Sequence, residues 1–335
     1  MAVTRNDVAH RAGVSPALVS YVLNGGPRPV AAPTRARVLA AIEELGYKPD
    51  GLARSLKLGT TRTLGVVVPD LSNPFFAELS RAVEDAAFER GYGVLVCNTA
   101  NDPARERVYI NGLAERRVDG LVFVSSDGRE DLKDLIGLGI PVVGLDRLPG
   151  EVPISTIETR NEHGAYIGTQ HLLSHGHRAV AFVGGLDSTV TAARRTGWQA
   201  ALAESGAQGS QVLAAFTFEG GRLAAHDLVV AGARPSAVLV GSDVQAFGLL
   251  SGLDDLNVRV PDDVAMVSFD GTTLSRYSIP ALTTIAQPIR ELGAQAVSVL
   301  LDNEANRPSH VVLNPALVIR GSCGCEERRD GTAAV

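Results

Sequence analysis

From Leu64 onward, continuous apolar runs alternate with segments whose apolar residues recur at helical spacing, and that alternation leaves few folds open. Leu64–Pro69, Gly93–Asn98, Gly120–Ser125 and Pro141–Asp146 read as strands. Pro74–Arg90, Pro103–Arg117 and a segment near Glu130–Gly137 read as the helices between them. A second series follows, with helices at about Glu162–Ser174, Thr191–Ser205, Gly220–Ala231 and Val244–Leu256. Its strands are Ala179–Gly184, Gln211–Phe216, Ser236–Gly241 and Val264–Phe269. Unbroken apolar strands need cover on both faces, so βαβ units on a parallel sheet are predicted. Two consecutive blocks predict two lobes with a cleft between them. The last segment, Leu282 to Arg320, adds a strand, a helix near Ile289–Asp302 and two short strands.

The first sixty residues follow a different pattern. Thr4 caps a short helix with Asp7 in its first turn, and Val8, Ala9 and Ala12 form its buried side. Gly13-Val14 separates it from a second helix, where Ser15 can cap and Pro16 sits at the first position, whose missing N–H costs nothing. Leu18, Val19, Val22 and Leu23 share one face, leaving Pro16, Ala17, Ser20, Tyr21 and Asn24 outward. A third helix, Ala32 to Leu45, supplies Val38, Leu39, Ile42 and Leu45, and Gly46 stops it. Two short helices joined by a tight Gly turn make a helix-turn-helix, whose second helix enters the major groove. A small helical bundle without a nucleic-acid role is the competing reading, and the charge distribution weighs against it. Residues 1–62 carry nine Lys/Arg against four Asp/Glu, a net +5, while the remainder carries 22 against 33, a net −11. A basic head on an acidic body suits a phosphate-binding module joined to a domain that DNA repels. Asp50 can cap one more short helix, Gly51–Lys57, which is too short to hold alone in water and otherwise reads as a linker.

Other classes find less support. With 335 residues the chain can hold more than one core. It has no run of about 18 apolar residues to span a bilayer. The N-terminus opens into a capped, charged helix with no apolar signal core, which predicts a cytoplasmic protein without membrane contact. Cys97 ends an apolar run and reads as a core residue, and Cys323 and Cys325 read as reduced thiols in a polar tail. His171, His175 and His177 do not by themselves make a metal site, and Gly184-Gly185 is no dinucleotide fingerprint. No metal, no cofactor and no catalytic set is expected, and the chain reads as no enzyme.

In open parallel sheets, ligands bind beyond the carboxyl ends of the strands. That rule selects Asp70, Phe75, Phe76, Ser125-Ser126, Asp146-Arg147, Phe216–Phe218, Ser242-Asp243 and Asp270. Carboxylates, arginines and aromatics at strand ends suit a hydroxyl-rich ligand, because carboxylates accept from hydroxyls and aromatics cover the apolar ring face. Taken singly, each Asp can be a helix N-cap, Asp243 above all, and Phe75 and Phe76 can be lobe core.

The strings T-R-N-D-V-A-H-R-A-G-V-S-P-A-L-V-S-Y-V-L-N-G, T-R-A-R-V-L-A-A-I-E-E-L-G-Y-K-P and L-A-R-S-L resemble the headpiece of the lactose/galactose repressor family. P-D-L-S-N-P-F-F-A-E-L, V-D-G-L-V-F, V-P-D-D-V-A-M-V-S-F-D and P-A-L-T-T-I-A-Q-P extend the resemblance over all but the last ten or so residues. It implies an α/β chain with a small all-α helix-turn-helix headpiece and a two-lobed, periplasmic-binding-protein-like body of doubly wound parallel sheets. The implied boundaries are 1–49 for the headpiece, 50–62 for a hinge helix and linker, and 63–330 for the body. Within the body, 63–159 and 288–317 would form one lobe, and 160–287 and 318–330 the other.

The resemblance further implies a sequence-specific repressor that binds a palindromic operator as a dimer, and leaves open whether dimers pair as tetramers. A small-molecule effector, a sugar or related metabolite, would lie between the lobes. The implied DNA-binding positions are Thr4, Ser15, Pro16, Ala17, Ser20, Tyr21, Asn24, Arg28, Leu52, Ala53, Arg54 and Leu56, with Leu56 wedging into the minor groove. The implied effector positions are Phe75, Phe76, Ser126, Asp146, Arg147, Arg194, Trp198, Phe218, Asp243 and Asp270. Tyr21 stands where the family commonly has arginine, Arg160-Asn161 replaces the usual Asp-Asn, and Ser242 replaces the commoner Asn. A sugar-binding protein of transport or chemotaxis shares the two-lobed fold, but would carry an export signal and no basic head.

Overall fold

The computed structural model describes residues 3–24, 29–48, 59–124, 136–137, 139–145, 154–186, 188–230, 235–302 and 308–325. The expected hinge helix 51–57 and residues 130–135 of the helix expected near Glu130–Gly137 lie outside these, while Ile136 and Gly137 are helical. The chain divides into two units, Met1–Thr61 and Arg62–Val335.

In the first unit, α1 (Arg5–Ala12) begins in a capping box: Asp7 N donates to Thr4 Oγ1 at 3.4 Å and Thr4 N donates to Asp7 Oδ2 at 2.8 Å. Gly13 turns the chain at φ 65°, a conformation that costs glycine little. Ser15 Oγ accepts from Leu18 N at 3.3 Å at the start of α2 (Pro16–Asn24). Helix α3 (Ala32–Leu45) ends at Gly46. Val8, Ala9, Ala12, Val19, Val22, Val38 and Ala41 form the core, with Ile42 and Leu45 partly buried against it. Leu39 is 46% exposed, contrary to expectation, and Ala41 takes its place. The buried face therefore runs 38, 41, 42, 45, the i, i+3, i+4, i+7 stripe of a helix.

The second unit contains twelve strands among its described residues. The first half is β1 (Thr63–Val68), α4 (Pro74–Glu89), β2 (Gly93–Asn98), α5 (Pro103–Glu115), β3 (Gly120–Phe123), β4 (Val142–Leu145) and β5 (Ser155–Thr159). The second half is α6 (Asn161–Ser174), β6 (Val180–Gly184), α7 (Thr189–Ser205), β7 (Gln211–Leu213), α8 (Phe218–Val230), β8 (Ala237–Val240), α9 (Asp243–Asp255) and β9 (Ala265–Asp270). Then come β10 (Thr283–Ala286), α10 (Ile289–Leu301), β11 (His310–Leu313) and β12 (Ala316–Val318). One sheet runs β11-β5-β4-β3-β1-β2 and the other β12-β10-β9-β8-β6-β7. Every pair is parallel except β10 with β12. Strands β1, β3, β4, β6, β8 and β9 are buried almost throughout, as continuous apolar runs require.

Three departures from expectation follow, two of them at sheet edges. Strand β2 lies at a sheet edge, so Leu95 and Val96 are exposed and Cys97 is half-buried, where a core position was expected. Strand β7, at the other sheet's edge, ends at Leu213 rather than Phe216. Strand β5 was not anticipated: S-T-I-E-T has one apolar residue, Ile157, and buries Ser155, Ile157 and Thr159 alternately, unlike its neighbours.

The chain passes between the sheets three times: β5 to α6 at Arg160-Asn161, β10 to α10 at Gln287-Pro288, and β11 to β12 after Leu313. The first and third crossings are tied together, since Arg160 N donates to Leu313 O at 2.8 Å. Helix α10 returns to pack on α4 and joins the core of Leu64, Val66, Leu79, Val122 and Ile157. Across the lobes, Thr273 N donates to Glu78 Oε1 at 2.8 Å.

Helices α6 and α7 approach so closely that a Cβ on Gly197 would lie 2.0 Å from the Glu162 carbonyl oxygen. Gly197→Ala should force the two helices apart and lower stability by about 1–3 kcal/mol, the usual cost of overpacking. Thermal melting checks this; an unchanged transition would mean that the helices part freely.

Candidate effector site and nucleic-acid interface

The most constrained residue at a strand end is Asp270. It closes β9 at φ 113°, a region that residues other than glycine rarely adopt and that is held only where the surroundings over-determine it. Its carbonyl accepts from Gln287 N at 3.0 Å, and its Oδ1 accepts from Gln287 Nε2 at 2.9 Å. Its Oδ2 receives Asp243 N at 3.4 Å. Gln287 is the second crossing residue, so the strained strand end is pinned to a passage between the lobes.

Arg194, on the second turn of α7, lies across from it. Its Nη1 stands 3.8 Å from Asp270 Oδ1, with both side chains almost wholly buried. Nη1 also donates to the Gly241 carbonyl at the end of β8, and Nε donates to Asn161 Oδ1 at 2.9 Å. The guanidinium lies over Phe269, with Cζ 3.7 Å from the ring centroid, a cation–π contact. Asn161 is the first crossing residue and in turn donates to Thr159 O at 3.0 Å. The Arg194–Asp270 pair is thus bonded to two of the three passages between lobes. It stands beside the carboxyl ends of β8 and β9, at the position the strand-end rule selects.

Burial pushes the Asp270 carboxyl up, to about 7. Arg194 opposes that rise, Asp243 adds to it, and the bond from Gln287 opposes it. A separation of 3.8 Å exceeds hydrogen-bond range, so Arg194 offsets the desolvation incompletely. Asp243 is raised for the same reason, its burial, although its carboxylate is saturated inside the lobe. It accepts from Ser268 Oγ at 2.6 Å, Thr272 N at 2.7 Å, Thr272 Oγ1 at 2.8 Å and Thr284 Oγ1 at 2.9 Å. Gln287 Oε1 is buried and accepts from none of the described residues.

The structure therefore brings together Arg194, Asp243 and Asp270 of the expected effector set. Asp243 acts as a brace with its acceptor capacity used. Trp198 is 4% exposed, donates Nε1 to Val180 O at 3.1 Å and stacks on Phe182, because α7 turns its apolar side to the lobe core. Phe75 is likewise buried in the other lobe's core, edge-on to the half-buried Phe76. Phe218 opens α8 and stacks on Phe247 at 6.1 Å, 47% exposed. Ser126, Asp146 and Arg147 lie outside the described residues. Sequence reasoning missed the roles of Asn161, Gln287 and the Gly241 carbonyl. Polar crossing residues carry no periodic signal; Asn161 and Gln287 stood inside resembling motifs, and their position between two predicted lobes was the signal that pointed to a role.

On the headpiece, Thr4, Ser15, Pro16 and Ala17 are exposed, and Ser20 and Tyr21 half-exposed, on the side of α2 away from Val19 and Val22. The side chain of Asn24 and the residues Arg28, Leu52, Ala53, Arg54 and Leu56 lie outside the described residues. Thr4 is engaged in the capping box.

Residues 4–50 match the family described as bacterial regulatory proteins, lacI family, and residues 169–323 match a periplasmic binding protein-like domain. The chain is 38% identical over 328 residues to the HTH-type transcriptional repressor PurR of Photobacterium profundum, covering 95% of this chain and 98% of the relative. It is 37% identical over 329 residues to the ribose operon repressor of Escherichia coli K12, covering 95% and 99%. Among solved structures, it is similar to the Lac repressor dimer bound to operator and the anti-inducer ONPF, at 29% identity and a TM-score of 0.86, covering 96% and 99%. None of the described helices is long and apolar enough to cross a membrane.

The raised Asp270 carboxyl has a thermodynamic signature. Unfolded, such a group titrates near 3.9; folded, it holds its proton to about 7. Its contribution to stability is complete below about pH 4, falls as pH rises through 7, and is then lost. Asp270→Asn should remove that component, so the melting temperature of the wild type relative to the variant should fall between about pH 4 and 7. Parallel pH profiles would show that the carboxyl is not raised.

Proposed function

The chain belongs to the lacI family of bacterial regulatory proteins, DNA-binding repressors, and on that premise we propose that a hydroxyl-rich small molecule, a sugar or related metabolite, binds at Arg194 and Asp270 and shifts operator affinity. The observation that carries the ligand reading is the buried Gln287 Oε1 beside a carboxylate and a guanidinium. A buried acceptor left without a donor costs about 1–3 kcal/mol. A ligand hydroxyl can donate to it, a second can donate to Asp270, and Arg194 can fork onto ligand oxygens in a way lysine cannot reproduce.

The mechanism follows from what those side chains hold. Arg194 grips Asn161 on the first crossing and Asp270 grips Gln287 on the second. A ligand that takes over part of either bond changes the tension on both crossings and so the angle between lobes. In a dimer that rotation alters the spacing of the two DNA-binding heads. Only unequal binding to the two lobe arrangements can move the equilibrium. The dimer itself would use exposed apolar side chains: Ile279 at 95% and Tyr277 at 70% in one lobe, Leu95 and Val96 on the β2 edge in the other.

For DNA, the reading assigns base contacts to Ser15, Pro16, Ala17, Ser20 and Tyr21, flanking contacts to Thr4, Asn24 and Arg28, and minor-groove insertion to Leu56 within 50–62. The protein acts in the cytoplasm, at the nucleoid. Tyr21 offers one hydroxyl and a ring face where an arginine would offer a fork to guanine. The operator should differ from the family's common half-site at that base pair.

Two outcomes test this. Tyr21→Ala should cost about 1–3 kcal/mol on the specific operator and little on random DNA, measured by fluorescence anisotropy. Equal loss on both would reduce Tyr21 to a packing or phosphate residue. Arg194→Ala should abolish binding of the ligand found by screening D-ribose and a panel of pentoses and hexoses, while ligand-free operator affinity stays within a few-fold. A variant that retains the ligand would remove Arg194 from the site.

A further inference from the structure

Away from the strand ends, at the carboxyl end of α6, four side chains from distant parts of the chain converge. His171 and His175 are one helical turn apart and face the same way, with ring centroids 4.6 Å apart. Against them lies the C-x-C of the last short helix. Gly324, at φ 87°, turns the chain there, so that Cys323 and Cys325 both meet α6. His171 Nε2 is 3.2 Å from Cys323 Sγ and 3.9 Å from Cys325 Sγ. His175 Nε2 is 3.4 Å from Cys325 Sγ. The donor atoms of His171, Cys323 and Cys325 all lie within 4.8 Å of one another.

We propose that His171, His175, Cys323 and Cys325 form a four-ligand site for a thiophilic, tetrahedral cation, zinc(II), which fastens the end of the body to α6. Sequence alone argued against a metal, because neither the histidines nor the C-x-C suffices and about 150 residues separate them. The fold supplies the missing half. Tetrahedral zinc holds sulfur at about 2.3 Å and imidazole nitrogen at about 2.0–2.1 Å, which sets nitrogen and sulfur roughly 3.5 Å apart. The three separations scatter around that value, so His171, Cys323 and Cys325 need little rearrangement, while His175, whose ring is exposed, must swing in toward the other ligands.

The surroundings are those of a metal site as well. His175 Nδ1 is 3.0 Å from the Cys323 carbonyl oxygen, which can only accept. The proton therefore sits on Nδ1 and the Nε2 lone pair points at Cys325, the outer-sphere arrangement that orients ligating imidazoles. Thr283 Oγ1 donates to Cys323 Sγ at 3.1 Å and supports a thiolate there. Cys323 is buried, His171 and Cys325 are half-buried and His175 is exposed, so a cation can enter from the solvent side. Four protein ligands close the coordination sphere, which makes the metal structural rather than catalytic. His177 takes no part; its Nδ1 pairs with Ser236 Oγ at 3.0 Å.

The test uses the full chain, reduced, stripped with a chelator and titrated with zinc(II) against a competing indicator. One zinc per chain should bind and raise the melting temperature, and cobalt(II) in its place should give the intense visible absorption of tetrahedral thiolate coordination. Removing an outer-sphere partner typically costs 10–100-fold in affinity, so Cys325→Ser or His175→Ala should weaken zinc more than roughly 100-fold. Cys97→Ser, outside the cluster, should leave it unchanged. Circular dichroism and operator binding report that each variant is folded. Absence of zinc uptake by the reduced chain, undiminished affinity in folded Cys325→Ser, or a Cys323–Cys325 disulfide persisting under mild reductant with zinc present would each overturn the proposal.

Discussion

Two opposite charges withdrawn from water inside one lobe set the terms for the rest of the body. Burying a guanidinium and a carboxylate costs several kcal/mol each, and their attraction repays this only if the remaining hydrogen-bonding capacity is satisfied. Here the satisfaction comes from outside their own elements. Arg194 draws on the Asn161 side chain, the Gly241 carbonyl and the Phe269 ring, and Asp270 on Gln287. Two of those partners are the residues through which the chain passes between lobes. The ion pair's cost and the geometry of the passages are therefore one problem, and any molecule that enters between the charges must renegotiate both. The strained φ of Asp270 and the saturated Asp243 behind it are the rigid side of that arrangement.

The headpiece is stabilised by other means. Its core holds seven buried side chains, mostly Val and Ala, and depends on local devices: the Thr4–Asp7 box, the Gly13 turn, Ser15 and Pro16 at the start of α2, and Gly46 at the end of α3. A small core with strong caps leaves the outward side of α2 free of structural duty, which is what base reading requires. The net +5 of residues 1–62 adds sequence-independent attraction to phosphate, and the net −11 of the remainder opposes it.

Much of this was legible in the sequence because it rests on periodicity and capping, both local. The helices of both units and the buried parallel strands follow from apolar spacing. Strand β5 escaped because four of its five residues are polar, and Leu39 was placed on a stripe that Ala41 completes instead. Trp198 illustrates a different case. The family resemblance placed it with the effector positions, but its large apolar ring packs into the lobe core, where burial stabilises it most. Asn161 and Gln287 carry no periodic pattern; they stood in resembling motifs without a role, and their importance arises from where the crossings converge. The His–Cys cluster is the extreme case, with ligands brought together only by the antiparallel return of β12 beside β10.

The central claim is that occupancy at Arg194 and Asp270 and affinity for DNA are two faces of one lobe equilibrium. It is tested by measuring the operator dissociation constant of the full-length dimer without and with a saturating ligand whose binding Arg194→Ala abolishes, and the ligand dissociation constant with and without operator. The account predicts that both constants change by the same factor, different from one, since coupling between sites is reciprocal. A ligand that binds tightly at Arg194 yet changes operator affinity by a factor of one would contradict it.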